Sequence, residues 1–119
     1  MDDFIRQFEE CTLRKEEWTH EAHLRMAYHY VWTYPEEECG RRVREGIKRL
    51  NESFGGKNTE DEGFHETLTE FWIREVRAMG PEKLVEVLAL PSGLWTRDYA
   101  TDLAKNRQAR REYLKPGEA

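Results

Sequence analysis

The sequence predicts an all-α fold, a compact bundle of four to five helices, from three observations. Apolar residues recur every three or four positions along most of the chain, which is the period of an amphipathic helix. Helix-ending signals, Pro35, Gly55-Gly56 and Gly80-Pro81, separate these stretches. No stretch alternates apolar and polar residues as a half-buried strand does. At 119 residues, we expect one domain, 1–119, around a single core.

The composition excludes some classes of function. Charged residues make up 36% of the chain, but 4 Trp, 5 Tyr and 5 Phe are more aromatic residues than a disordered segment carries. The net charge of -5 argues against general nucleic-acid binding and against adhesion to anionic membranes. The expected partner is a small-molecule substrate, with no nucleic acid and no membrane.

The cysteines and the N-terminus predict a cytoplasmic location. Cys11 and Cys39 lack the spacing of a disulfide framework, which favours a reducing compartment. The first residues do not resemble a signal peptide, and no apolar stretch approaches the roughly 20 residues that cross a bilayer.

The first predicted elements are a short acidic lead and a long helix. Residues 1–12 form the lead, which we expect to pack on the body, and residues 13–17 a connector. Thr19 is placed to cap a helix that runs to Tyr34, with Trp18 packing on His23 as a hydrophobic staple. One face of this helix carries the stripe His20, His23, Leu24, Ala27, Tyr28, Val31 and Tyr34.

Four more elements follow. The second helix runs from Pro35 to Gly55-Gly56, with Cys39, Val43, Ile47, Leu50 and Phe54 inward. A third is expected from about Glu60 to Met79, with an inner face of His65, Leu68, Trp72, Val76 and Met79. A fourth turns Leu84, Val85, Leu88 and Ala89 inward, and a last helix spans Thr96 or Arg97 to Leu114 before a tail, 115–119. The thin apolar face of the last helix suggests a possible homo-oligomer.

Three histidines on these inner faces predict a metal site. Neutral imidazole binds zinc, copper and iron, and catalytic zinc sites use three protein ligands with one open position. His20 and His23 are three residues apart on one helix, and His65 would come from a facing helix. The sequence does not distinguish zinc, copper or iron. Glu66 and Glu21 adjoin these histidines and are candidates for a general base or for orienting a ligand.

Two alternatives remain open. Histidines on apolar faces are also found with both nitrogens hydrogen-bonded in a core, or binding a ligand directly. The spacings Glu17-x-x-His20 and Glu62-x-x-His65 are also those of carboxylate-bridged dinuclear bundles, which need two further glutamates. The cluster Arg107 to Arg111 could hold an anionic substrate, although a solvated helix face is the favoured interpretation.

The motifs Trp18-Thr19-His20-x-x-His23-Leu24, Asn58-Thr59 and Gly63-Phe64-His65-Glu66-Thr67 resemble those of a group of small, largely uncharacterised bacterial helical proteins. That group shows tyrosine where this chain has Phe64. The resemblance implies that His20, His23 and His65 form one site.

The sequence thus predicts a metal-dependent enzyme acting on a small molecule, by hydrolysis or elimination with zinc, or by oxidation with copper or iron. The alternative is a non-enzymatic helical protein that binds a ligand or partner, with its histidines hydrogen-bonded in the core.

Overall fold

Six α-helices make up the architecture of residues 2–118, the part of the chain that this computed structural model describes. They are α1 (Asp3–Glu10), α2 (His20–Thr33), α3 (Glu36–Ser53), α4 (Glu66–Met79), α5 (Leu84–Leu88) and α6 (Arg107–Arg111). Three 3₁₀ turns, Lys15–Glu17, Leu94–Arg97 and Leu103–Lys105, lie between them. The all-α prediction is confirmed, since residues 2–118 contain no strand. Met1 and Ala119, the outer ends of the predicted lead and tail, lie outside the described residues.

Helix α2 lies at the centre because it packs against α3, α4 and α5. The predicted stripe contributes Leu24, Ala27 and Val31 to the core. Ala22, Met26 and Tyr30 are buried as well, because a helix with three neighbours buries more than one face. The radius of gyration of 13.8 Å matches that of a compact domain of this length, about 13.5 Å.

Helix α3 buries four of the five residues that its spacing predicts, Cys39, Val43, Ile47 and Leu50, while the fifth, Phe54, is its C-cap and is half-buried. The predicted lead packs on it through Phe8, which is fully buried. A Cβ atom on Gly46 would lie 2.6 Å from the Phe8 ring, so glycine is what lets α1 approach α3 this closely.

Helix α4 begins at Glu66, and the predicted start near Glu60 is wrong. Thr59 does accept from a nearby backbone N–H, that of Asp61, but this closes a turn within the loop. The loop continues through Gly63, whose φ of +81° lies in the left-handed region and interrupts a helix. His65 is therefore the N-cap of α4 and not a member of its inner face.

Helix α5 is short and keeps Leu84 and Leu88 of the predicted inner face, but not Val85 and Ala89. Val85 is 80% exposed and Ala89 is exposed, whereas Val87 is fully buried. Because α5 begins at Leu84, the residues on one side of it are Leu84, Val87 and Leu88.

The predicted last helix, Thr96 or Arg97 to Leu114, does not form as one element. The side chains of Asp102 and Asn106 accept from the N–H groups of Ala104 and Ala109, and each starts a new short turn. The apolar residues of this segment pack around Phe71 of α4 in a second core cluster, completed by Tyr99, Leu103, Ala109 and Leu114. Their spacing does not follow a helical period.

Two further features complete the fold. Cys11 and Cys39 are free thiols. No helix within residues 2–118 is long and apolar enough to cross a membrane.

Candidate functional site

One cavity of about 500 Å³ is lined by all three histidines that the sequence singles out. It lies between α2, α3 and α4 and is closed on one side by the loop before α4. The walls are largely apolar and aromatic, and they include Trp18, Met26, Ala27, Val43, Ile47, Phe64, Leu68, Trp72 and Ile73. The polar lining comprises His20, His23, Asn51, His65, Thr69 and Arg110.

The start of α2 fixes the direction of His23. The Thr19 hydroxyl accepts from the Ala22 N–H at 3.2 Å, and the Trp18 ring stacks on the His23 ring with centroids 3.8 Å apart. Nδ1 of His23 lies 2.6 Å from the Thr19 carbonyl oxygen. Since a carbonyl can only accept, Nδ1 carries the proton and Nε2 keeps its lone pair.

A main-chain carbonyl also holds the His20 ring, but through Nε2 and not through Nδ1. Its Nε2–H donates to the carbonyl oxygen of Leu90 at 2.8 Å. Its ring packs edge-on with the Trp72 ring, with the ring centroids 5.1 Å apart. The lone pair is therefore on Nδ1. Within residues 2–118, no hydrogen bond involves His20 Nδ1 or His23 Nε2, so each ring keeps one nitrogen available.

His65 differs because both of its nitrogens are engaged. Nδ1 accepts the Leu68 N–H at 3.1 Å, which caps α4, and Nε2–H donates to the Leu103 carbonyl oxygen at 2.6 Å. The side chain is buried, with 6% of the residue exposed. The ring therefore joins the first turn of α4 to the C-terminal segment, and its single lone pair already has a partner.

This arrangement bears on the fit of a metal ion. Across the described part of the chain, no group of three or more His, Cys, Asp or Glu side chains is arranged to hold one. His20 and His23 each retain one ring nitrogen with a lone pair that can bind an ion. His65 would have to release the Leu68 N–H before it could bind an ion.

The loop before α4 is organised around Asn58. Its Oδ1 accepts from the Phe64 N–H at 3.0 Å and from the Asn51 amide at 3.1 Å, while its Nδ2 donates to the Lys48 carbonyl oxygen at 3.0 Å. A Cβ on Gly63 would lie 2.2 Å from the Lys57 carbonyl oxygen, so the loop closes only with glycine there. These contacts place Phe64 and His65 in the cavity wall.

Thr67 extends the same framework to the end of the chain. Its hydroxyl donates to the Glu112 carbonyl oxygen at 2.9 Å and accepts from the Leu114 N–H at 3.1 Å. Thr67 is fully buried. The C-terminal segment is thus attached to α4 through His65 and Thr67.

The two glutamates proposed as catalytic do not line the histidine cavity. Glu66 receives two hydrogen bonds of 2.9 Å from the Arg44 guanidinium and borders a groove on the surface. Glu21 is exposed and lies 3.8 Å from Arg25. Glu17 and Glu62, the carboxylates of the dinuclear alternative, are also exposed and do not line the cavity.

Burial makes the neutral form of two of these rings more favourable. It lowers the pKa of His23, with a further contribution from His20 nearby, against the opposing hydrogen bond to the Thr19 carbonyl. Burial also lowers the pKa of His65, against its bond to the Leu103 carbonyl, and the positive charge of Arg110 adds to this effect. Uncharged rings are what both metal binding and proton acceptance require.

From the sequence, Arg110 is expected on a solvated helix face, but it lines the cavity. Its Nη1 donates to the Gly63 carbonyl oxygen at 2.7 Å and its Nη2 to the Ala104 carbonyl oxygen at 3.0 Å. No spacing signal marks this position, because the C-terminal segment reaches the cavity by long-range packing.

In comparisons with known proteins, no family model, no curated protein and no solved structure matches this chain. The chemistry of the cavity therefore carries the functional conclusion.

Proposed function

We propose that this protein binds a small molecule in the histidine cavity, with the polar end of the ligand on His20 and His23. One observation carries the proposal. Two neighbouring imidazoles, each anchored to a main-chain carbonyl, keep one ring nitrogen free of partners within residues 2–118, at the wall of a largely apolar cavity. A few placed polar groups in an apolar cavity are typical of small-molecule sites.

The cavity also indicates the kind of ligand. Its volume of about 500 Å³ lies within the range of ordinary ligand pockets. The rings of Trp18, Phe64 and Trp72 favour a flat apolar body, and a neutral imidazole nitrogen accepts a hydrogen bond. The expected ligand is therefore aromatic or planar and carries a hydroxyl or N–H donor.

Tryptophan fluorescence tests this proposal, because Trp18 and Trp72 lie in the cavity wall. Titration with phenol, which has a donor, is compared with anisole, which lacks one. We expect saturable quenching by phenol and weaker binding of anisole. The double variant His20→Gln, His23→Gln should weaken phenol binding about tenfold or more, a loss of about 1.4 kcal/mol.

The matched control is His29→Gln. His29 is also half-buried on α2, but it does not line the cavity. This variant should bind phenol as the wild type does. Equal affinity for phenol and anisole, or a double variant with unchanged phenol binding, would overturn the role of the two histidines.

A second candidate is a metal-dependent enzyme, and a specific observation favours it. His20, His23 and His65 each contact a main-chain carbonyl through one ring nitrogen, and metal-ligating histidines are oriented in this way. His20 and His23 would hold the ion, with His65 as third ligand once its cap bond is released. Such an ion would polarise a ligand or hold a hydroxide for hydrolysis or elimination, or, as copper or iron, would pass electrons from the substrate to dioxygen in an oxidation.

Elemental analysis of untagged protein separates the two candidates. About one zinc, copper or iron per chain supports the metal-dependent enzyme, and less than about 0.2 after reconstitution excludes it. The informative variant is His65→Asn, since asparagine also caps helices but does not replace an imidazole ligand. If His65 is a ligand, this variant loses metal while it stays folded.

A further inference from the structure

Arg110 differs from the two other arginines of its helix in its partners. Arg107 pairs with Asp61 at 2.6 Å, and Arg111 pairs with Glu60 at 2.7 Å. Within residues 2–118, no carboxylate oxygen lies within 4.0 Å of the Arg110 guanidinium. Its partners are two main-chain carbonyls, which fix its position without neutralising its charge.

The acidic side chains that border the same surface groove as Arg110 are engaged elsewhere. Glu60 and Glu66 border the surface groove that Arg110 also reaches. Glu60 forms a salt bridge with Arg111, and both carboxylate oxygens of Glu66 accept hydrogen bonds from Arg44. The positive charge of Arg110 is therefore left for another partner.

Arg110 also lines the histidine cavity. Of the described residues, none that lines this cavity is acidic, and Arg110 is the one with a permanent charge. Its guanidinium is held at the cavity wall by the bond to the carbonyl oxygen of Gly63, which also lines the cavity. A positive charge among aromatic walls favours an anionic ligand with an aromatic body.

We propose that the ligand of this cavity is a small aromatic acid, with its carboxylate on Arg110 and its donor group on His20 and His23. This rests on the proposed small-molecule function and names the class of molecule. The guanidinium fork matches the two oxygens of a carboxylate, and the two N–H groups bonded to Gly63 and Ala104 leave others available. Trp18, Phe64 and Trp72 supply surfaces for the ring.

The test compares two probes of nearly the same size and shape, one anionic and one neutral. The tryptophan fluorescence titration is made with 4-hydroxybenzoate and with 4-hydroxybenzamide, its neutral counterpart. We expect the wild type to bind the acid about tenfold or more tightly than the amide. The preference should shrink as the salt concentration rises, since salt screens the charge interaction.

Two variants locate the charge. In Arg110→Gln the preference for the acid should disappear, so that both probes bind about equally. In Arg107→Gln, the matched control on the exposed side of the same helix, the preference should remain. An acid preference that survives Arg110→Gln, or a wild type that binds the amide as tightly as the acid, would overturn the inference.

The readout tolerates a loss of stability. Arg110 also anchors the C-terminal segment, but partial unfolding weakens both probes equally and leaves their ratio unchanged. If Arg110→Gln does not fold, Arg110→Lys keeps the charge without the fork and should retain part of the preference. If the protein binds phenol but shows no preference for the acid, only the inference of an aromatic acid is refuted. If it binds none of the probes, the proposed small-molecule function is refuted as well.

Discussion

The two histidine segments of this chain, residues 18–24 and 63–67, are alike in sequence and opposite in their use of the imidazole. In both, a histidine followed by glutamate stands at the start of a helix that crosses the core. In α2 the cap is Thr19, which leaves His20 and His23 to the cavity. In α4 the histidine is itself the cap. The availability of a core histidine thus depends on how many of its nitrogens the fold already engages.

The largest effect that we expect is on stability, where replacing His65 costs more than replacing His23. His65→Ala removes the cap of α4 and a buried hydrogen bond to the Leu103 carbonyl, each worth about 1 kcal/mol, and it empties a buried site, so we expect a loss of roughly 3 kcal/mol. The Leu103 carbonyl keeps its second partner, the Asn106 N–H. His23→Ala should lose about 1 kcal/mol, because the Thr19 carbonyl is exposed and can bond to water. Urea unfolding measures both. His65→Asn should recover the cap contribution, and equal losses for the two alanine variants would contradict the comparison.

A smaller effect is expected at Gly63, which positions the second segment. Gly63→Ala combines a φ of +81° with a Cβ that would lie 2.2 Å from the Lys57 carbonyl oxygen. We expect a loss of about 2 kcal/mol in the free energy of unfolding. The control is Gly93→Ala, where φ is -88° and no atom lies within 4 Å of the added Cβ. Similar stabilities of the two variants would show that the loop can adapt.

The glutamates of the two segments give a third contrast. Glu66→Gln breaks a two-bond pair with Arg44, whose side chain is 38% exposed, so we expect a loss of about 1 kcal/mol after solvent screening. Glu21→Gln should stay within about 0.5 kcal/mol of the wild type, because that carboxylate is exposed. Thermal melting of both variants checks this. A larger loss for Glu21→Gln would reverse the assignment.

The smallest effect that we expect is on the pH dependence of stability. Burial lowers the pKa of His23 and His65 below the ordinary 6.5. At pH values between these lowered pKa values and 6.5, the unfolded chain binds more protons than the folded chain. The stabilisation is therefore complete above about pH 6.5 and decreases as the pH falls below it. The urea midpoint should be lower at about pH 5.5 than at about pH 7.5. In His23→Gln this difference should shrink, and an unchanged difference would place the effect elsewhere.

The sequence predicts best what is decided locally. The cap at Thr19 and the apolar spacing of α3 lie within a few residues, and the structure has both. The start of α4 could not be found in this way, because Gly63 and the contacts of Asn58 end the loop and the spacing of Thr59 and Glu62 suggests an earlier start. The C-terminal segment was predicted as one helix because its packing partner, Phe71, is remote in sequence.

The same distinction applies to the candidate site. The apolar stripe of α2 brings His20 and His23 to the cavity, whereas His65 reaches it from the N-cap of α4 and not from the predicted inner face. Apolar stripes could not show which ring nitrogens remain available, because the carbonyls of Leu90 and Leu103 lie 70 and 38 residues away along the chain from their histidines. The sequence favours a solvated face for Arg110 for a similar reason, since its anchor at Gly63 is 47 residues distant.

The attachment of the C-terminal segment to α4 has a consequence for the order of folding. The bonds from His65 and Thr67 to residues 103, 112 and 114 join positions 38, 45 and 47 apart, and each closes a long loop. Such contacts form late, because the entropy of loop closure is lost before they contribute. We expect α2, α3 and α4 to assemble first and the C-terminal segment to dock last. Until it docks, the Nε2–H of His65 has no carbonyl partner, and this wall of the cavity is unfinished.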